Sequence, residues 1–502
     1  MSERTETNDL LSDGIFNFVL SHRELSDEIG QKINFGDLCL CSDIKTPVSR
    51  AISDEREILL FGLAVDVRNG TSENLPQRIL ETTNSLQEVI RYEYFLGGKY
   101  ILFYREGGEC YALPDATASI PFCYTVGKTE FMCSSVSEFM AKQLNLNEDP
   151  SLKKIRVSSE ISQAMPFDLT VYKEIKQLLP NHYFSFKSQR AERFVNETKI
   201  QSEISPEKAA EITSPFIEKI AELYTSRFKP YCPITAGRDS RAVLAFLRSS
   251  YADASGLQCY TIKHKNHIGD EQDLTVPRQL SEKFGLKYEQ IKDIDVSDEL
   301  KISADELFGK GKYSERTLLI ANTVYKQYGD GAVTNGDIIG QVGKCSLHRD
   351  ISERLATAGY FRCKLHNYSR GAKSALKEWM NEIKASEERV NLFDLFSVEN
   401  RMGRWAAQEN LIYNTVGQAY LNIFNSRSII YVWTAVSRKE RKKSALHIEL
   451  IKKADASLLE IPFEKEESRL VRFSKSNGVF YYLFSYLKYW VKCIIFYIKR
   501  GL

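Results

Sequence analysis

Short runs of β-branched and aromatic residues, bounded by glycine, alternate with polar turns over the first third of the chain. The clearest lie at 14–20, 58–63 and 99–104, the last between Gly97-Gly98 and Gly107-Gly108. This pattern predicts a sheet-rich unit over about residues 14–142, interrupted by one helix near 75–92. After about residue 205 helical periodicity dominates. It is broken by brief apolar runs at 231–234, 258–262 and 331–333. Strand alternating with helix predicts an α/β unit with a parallel sheet. From about 350 to 463 the chain reads as mainly helical. The division is therefore a polar lead at 1–12, a sheet-rich unit at 13–200, an α/β unit at 205–470 and an apolar helix at 476–502.

At 502 residues the chain is long enough for two or three domains. Hydrophobic residues make up 43% and charged residues 27%, so a core of ordinary size can be buried. The formal net charge of +2 supplies no general field for nucleic acid, and no nucleic-acid partner is expected. The ten cysteines are dispersed without a CxxC pair, and Cys39 and Cys41 stand too close for a zinc-site spacing. They read as reduced apolar thiols of a cytoplasmic protein. The opening MSERTETNDLLSDG lacks the apolar core of a signal segment.

The most informative segment is Thr235-Ala236-Gly237-Arg238-Asp239-Ser240. A short strand ends at Ile234, and small residues then permit a tight turn and close approach of an anion. Asp239 and Ser240 are candidates to cap the following helix, whose free N–H groups and dipole would attract phosphate. An aspartate there can also hold Mg²⁺ between phosphate oxygens. No Gly-Lys-Ser/Thr follows, so this is not a Walker loop. An ordinary strand–turn–helix connection is the competing reading. Arg238 and Arg241 could bind a carboxylate or phosphate, or lie on the surface of the helix's first turn.

The hexapeptide resembles the Ser-Gly-Gly-x-Asp-Ser pyrophosphate loop of the asparagine synthetase family, and the Gly-Arg-Asp-Ser-Arg form resembles its divergent members. Other landmarks follow in family order: Cys259-Tyr260-Thr261-Ile262, Phe284-Gly285-Leu286, Thr334-Asn335-Gly336-Asp337, Arg401-Met402-Gly403-Arg404-Trp405, Ala445-Leu446-His447 and Ile461-Pro462-Phe463. The resemblance covers about 205–465 well and 14–142 weakly. It implies an adenine-nucleotide α-hydrolase-like synthetase domain that uses ATP and Mg²⁺. Thr235, Ala236, Gly237, Arg238, Asp239 and Ser240 would hold pyrophosphate, Thr261 and Ile262 would flank adenine, and Gly336 would lie beside the phosphates. Asp239 and Asp337 would hold metal, with Asp337 alternatively a base. Lys443 would offset charge at the α-phosphate, although Arg438, Lys439, Arg441, Lys442 and Lys443 also read as one solvated basic face. Gly340 and Gln341 stand where the family carries later acids.

The N-terminal half resembles the family's glutaminase domain, an Ntn-hydrolase α+β sandwich, on Leu96–Leu102 and Leu113-Pro114-Asp115-Ala116-Thr117. Its nucleophilic cysteine is replaced by Asp13, and Ser2 is far from the expected strand. A carboxylate cannot form the thioester that amide hydrolysis requires, so glutaminase activity is not expected. Nitrogen would come from ammonia, from a partner glutaminase, or from an amine already on the substrate, as in the related β-lactam synthetase.

Residues 478–498 are long and apolar, with Ser485, Lys488, Lys492 and Lys499 on one narrow helical face. Such a helix can lie in a membrane interface at the inner face of the cytoplasmic membrane, or pack on the protein or on a second subunit of a homodimer. A membrane location would suit a bacterial pathway building surface glycans, with a sugar uronic acid or similar carboxylate as substrate. The expected function is an ATP-dependent amide-forming ligase that makes an acyl-adenylate. The rival readings are a catalytically inactive scaffold and a sulfur-transferring relative.

Overall fold

The computed structural model describes residues 14–22, 30–127, 130–159, 165–195, 203–251, 256–263, 271–345, 351–386, 388, 390–463 and 478–500. The expected polar lead, Ser2 and Asp13 lie outside the described residues.

The fold is mixed α/β, with two antiparallel sheets followed by a parallel one. The N-terminal half contributes β1 (Phe18–Ser21), β2 (Gln31–Phe35), β3 (Leu38–Ser42), β4 (Val48–Ser53), β5 (Arg56–Asp66), β6 (Leu96–Glu106), β7 (Glu109–Pro114), β8 (Cys123–Thr125), β9 (Met132–Ser134), β10 (Ile175–Gln177), β11 (His182–Ser185) and β12 (Arg190–Arg193). They form two six-stranded sheets, in the orders β10-β8-β9-β1-β3-β2 and β12-β11-β7-β6-β5-β4. An aromatic layer joins the sheets face to face. Phe18 of β1 meets Phe61 of β5 at 5.5 Å between ring centroids, and Phe35 of β2 meets Phe103 of β6 at 5.7 Å.

Two expected elements differ. The helix predicted over 75–92 is two helices, Leu75–Thr82 and Leu86–Glu93. Thr83 is extended, and the Ser85 hydroxyl accepts from the Glu88 N–H to start a new helix. The strand predicted at 14–20 begins only at Phe18. Before it, the Ile15 N–H donates to the Asn414 carbonyl and the Phe16 N–H to the Thr46 hydroxyl, so neither enters a ladder.

The C-terminal half carries β13 (Pro230–Pro233), β14 (Gln258–Lys263), β15 (Lys287–Lys292), β16 (Ala332–Thr334) and β17 (Ala419–Leu421), all parallel, in the order β15-β14-β13-β16-β17. The three apolar runs of the sequence are thus β13, β14 and β16. After β13 the chain builds outward through β14 and β15, then returns to place β16 on the other side. The order reverses between β13 and β16, and the crevice beyond the carboxyl ends of such a strand pair is where open α/β sheets bind ligands.

Buried polar contacts lock the halves together. Lys99 of β6 donates to Asn410 Oδ1 at 2.8 Å, Asn414 Oδ1 at 3.3 Å and the Tyr420 carbonyl at 3.2 Å. Burial pushes its ammonium down to about 7. Gly98, at φ 139°, donates its N–H to the Asn425 carbonyl at 2.9 Å and accepts from Asn425 Nδ2 at 2.7 Å. A Cβ on Gly98 would sit 2.1 Å from the Leu63 carbonyl, so only glycine lets β5 and β6 close beside the second half. Glu93 pairs with Arg427, and Glu399 with Arg193, all four nearly excluded from solvent. All ten cysteines are buried and unbridged.

Candidate functional site

The carboxyl ends of β13 and β16 bring the two expected loops face to face. Gly237 precedes the helix Arg238–Ser250 as its N-cap residue, and no side chain caps that helix. The expectation that Asp239 and Ser240 cap it is therefore corrected. Both lie inside the first turn and turn elsewhere. The Ser240 hydroxyl accepts from the Thr235 N–H at 3.2 Å and lies 3.2 Å from the Thr235 hydroxyl, while the Gly237 N–H donates to Thr235 Oγ1 at 3.1 Å. The Ala236 N–H is held by Asp273 at 3.1 Å. Among the described residues the opening N–H groups of the helix have no side-chain acceptor, which is the condition for anion binding at a helix start.

Asp239 is oriented from the far end of the chain. Its Oδ1 lies 2.8 Å from Nε2 of His447, a fully buried residue on the helix Ala445–Asp455. His447 Nδ1 is buried and has no partner among the described residues. A proton there would be an orphaned donor, so the network assigns it to Nε2, which donates to Asp239. Burial opposes ionisation of Asp239. The His447 hydrogen bond, with the charges of Lys344 and Arg238, more than offsets this and holds the carboxyl below its ordinary range.

Asp337 follows β16. Its backbone N–H donates to Asn335 Oδ1 at 3.1 Å, and its Oδ2 accepts from the Tyr420 hydroxyl at 3.2 Å. Gly336 packs against Asp239 closely enough that a Cβ would lie 3.2 Å from the Asp239 carbonyl carbon. Burial pushes the Asp337 carboxyl up to about 6; Tyr420 pulls it down and the charge of Asp239 adds to the rise. Glu409 is driven up to about 8, by burial first and then by Asp337. The loops thus present one carboxylate held ionised, Asp239, opposite one whose environment favours the proton, Asp337, and Glu409 of the helix Ala407–Thr415 is a second such group beside Asp337.

The replacement of the family's later acids by Gly340 and Gln341 has a steric side. A Cβ at position 340 would come within 2.9 Å of Asp239 Oδ2. Any side chain there would press on the one carboxylate that His447 positions.

The remaining expected residues separate. Thr261 lies beside the loop, and its hydroxyl donates to the Ile234 carbonyl at 2.6 Å; Ile262 follows on the same strand end, half-buried. Lys443 is more than half exposed and donates to Glu440 at 2.9 Å, an i,i+3 surface pair. Arg238 stacks on Phe463. Arg241 is neither surface residue nor anion ligand. It is buried, donates to the carbonyls of Leu458, Ile461 and Pro462, and is pushed down to about 10 by burial and then by Arg238. The run 438–443 is not one solvated face either, because Arg441 is buried in a bidentate pair with Asp394 at 2.9 and 2.8 Å. Sequence reasoning missed the roles of His447, Glu409, Tyr420 and Lys344. Each acts on the site across a large sequence separation, or from a side chain with no motif of its own.

The donor set suits Mg²⁺ as it sits beside phosphates, where one or two carboxylates share the ion with phosphate oxygens and water. Among the described residues no group of three or more His, Cys, Asp or Glu could hold a metal unaided. Asp239 and Asp337 are the carboxylates that the two loops themselves supply. Behind Asp337 a small cavity of about 20 Å³ lies between the two halves, bordered by Lys99, Tyr224, Asn410 and Tyr420. A cavity of about 110 Å³ bordered by Arg156, Lys312 and Arg404 lies apart, and no residue of either loop lines it.

Replacing Asp337 by asparagine tests the electrostatics. The folded carboxyl titrates near 6, against about 3.9 in an unfolded chain, so folding favours the protonated form. That contribution is fully present below pH 4 and is lost as pH rises through 6, leaving a cost of up to about 3 kcal/mol at pH 8. Asp337→Asn should raise the thermal midpoint at pH 8 without nucleotide and leave it unchanged near pH 4. An equal shift at both pH values would contradict the burial argument.

No family model matches this chain, and no curated protein matches it. Among solved structures it is similar to the glutamine phosphoribosylpyrophosphate (PRPP) amidotransferase from B. subtilis complexed with ADP and GMP, at 11% identity over 69% of this chain and 73% of that one, with a TM-score of 0.23. At that score the likeness carries no conclusion about activity.

Proposed function

We propose that this protein is an ATP-dependent ligase of the asparagine synthetase type that activates a small-molecule carboxylate as an acyl-adenylate and passes it to an amine or ammonia. The observation that carries this reading is the uncapped helix start at Gly237–Ser240, with Asp239 held ionised by His447 and Asp337 opposite it at a switch point of the parallel sheet. The substrate carboxylate oxygen attacks the α-phosphorus of ATP, and the bond to the pyrophosphate oxygen breaks. The N–H groups at the start of the 238–250 helix and the Thr235 and Ser240 hydroxyls receive the leaving pyrophosphate. Bound Mg²⁺ would neutralise phosphate charge between Asp239 and Asp337. The amine nitrogen then bonds to the acyl carbon, AMP leaves, and the nitrogen's proton goes to a base for which Asp337 is the candidate.

In this reading the N-terminal sandwich is an Ntn-type glutaminase domain without its nucleophile, kept as a support that the Lys99, Glu93 and Arg193 contacts weld to the synthetase half. Purified protein should release no glutamate from glutamine above the uncatalysed rate, with or without ATP; glutamine-dependent release would sink this part. The reaction class is tested by its products. Incubation with ATP, Mg²⁺, candidate carboxylic acids and ammonia should give AMP and pyrophosphate. Formation of ADP and phosphate would contradict an adenylate.

One observation favours a second reading, a nucleotide-binding scaffold without turnover. Lys443, the expected cation at the α-phosphate, is engaged by Glu440 at the surface. ATP binding without AMP formation across a broad panel of acids would support it.

A further inference from the structure

The C-terminal helix Gly478–Arg500 is divided lengthwise. One face docks on the protein. Tyr482 stacks on Tyr360 at 5.2 Å between centroids, Tyr489 and Phe496 pack against Tyr368, and the Tyr489 hydroxyl donates to the Asn367 carbonyl. The opposite face is apolar and open. Of the thirteen large hydrophobic side chains exposed among the described residues, ten lie on this helix, from Val479 to Ile498, including Phe480, Leu487, Trp490 and Ile494. At 1.5 Å per residue they form a stripe roughly 30 Å long, beyond what a monomeric surface ordinarily shows to water. The sequence reading put the four polar residues on one face and the apolar remainder opposite. The structure separates that remainder into a docked face and an exposed one, with Lys488 exposed along the edge between them.

The surroundings of the stripe select its occupant. The helix has no acidic residue, and neither does 357–368, the segment its side chains touch. Within it Lys364 donates to the Tyr481 hydroxyl at 3.1 Å, and Arg362 stacks on Tyr489 and Trp490. A second copy of this chain would bring the same positive charge against itself. No helix among the described residues is long and apolar enough to cross a membrane. We infer that this face lies flat on an anionic membrane surface, with the 479–498 stripe at the depth of the headgroup–acyl boundary and Arg362, Lys364 and Lys488 toward the lipid phosphates. This inference does not depend on the catalytic reading.

The test is flotation of the full-length protein with vesicles of phosphatidylcholine alone or with 30% phosphatidylglycerol. Binding is expected to the anionic vesicles, with at least tenfold less to the neutral ones and a marked fall as salt rises. Leu487→Glu with Ile494→Glu should cut binding at least tenfold while leaving the thermal midpoint unchanged, because both side chains point away from the protein. Lys364→Glu with Lys488→Glu should erase the preference for anionic vesicles. Equal recovery of wild-type and stripe variant with vesicles would overturn the inference. So would absence of vesicle binding together with a dimer, seen by light scattering, that the stripe variant abolishes.

Discussion

Asp239→Asn is expected to lower adenylate formation by about 10²–10³-fold, the scale on which one preorganised group at a developing charge acts. The substitution removes charge while keeping an oxygen that can accept from His447 Nε2, so the fold should be retained. What is lost is the one carboxylate held ionised at the helix start, and with it the anchor for a metal shared with phosphates. The measurement is turnover against Mg²⁺ concentration. The wild type should saturate at low concentration and the variant should not. His447→Ala should give a smaller loss, recovered in part by raising the pH, because Asp239 would lose its orienting donor and rise in pKa. A variant at 239 that turns over normally would remove the loop from the mechanism.

The second large effect is structural. Glu399 is fully buried and accepts from Arg193 at 2.6 and 2.8 Å, from Asn181 at 2.9 Å and from Trp379 Nε1 at 2.7 Å. Arg193 and Asn181 belong to the sheet sandwich and Glu399 to the second half, so this network is a weld between them. Burial pushes the Glu399 carboxyl up, but Arg193 wins and holds it below its ordinary range. Glu399→Ala would strand Arg193 with only the longer contact to Glu382 at 3.3 Å. Breaking one side of such a buried pair costs about 3–5 kcal/mol, enough to lower the thermal midpoint by several degrees. Glu399→Met with Arg193→Met should recover only part of the loss, because no charge stays buried but Asn181 Nδ2 and Trp379 Nε1 lose their acceptor. A single variant that melts with the wild type would show that the halves are held elsewhere.

Much of the fold was legible because its signals are local. The runs at 231–234, 258–262 and 331–333 are consecutive apolar strands of a parallel sheet, and the loop after the first carries its small residues in sequence. Even the break between the two helices at 75–93 was written in the chain, as Ser85 three residues before Glu88. The site's electrostatics were not legible. Asp239 is oriented by a histidine 208 positions away, and Asp337 is surrounded by Tyr420 and Glu409, which reach it only through β17 and the preceding helix. The basic run at 438–443 misled for a related reason. Charge pattern cannot tell an arginine that meets Asp394 in the interior from its solvated neighbours. In the C-terminal helix the spacing located the polar face, but it could not show that Tyr482 and Tyr489 of the remainder dock on the protein while Leu487 and Ile494 do not.

The central claim is that the facing loops at Thr235–Ser240 and Asn335–Asp337 make an acyl-adenylate. It is tested most directly by ATP–pyrophosphate exchange with the wild-type protein across a panel of carboxylic acids, sugar uronic acids included. The account predicts exchange that requires both Mg²⁺ and one class of acid. No exchange with any acid, together with no measurable binding of Mg-ATP, would contradict it.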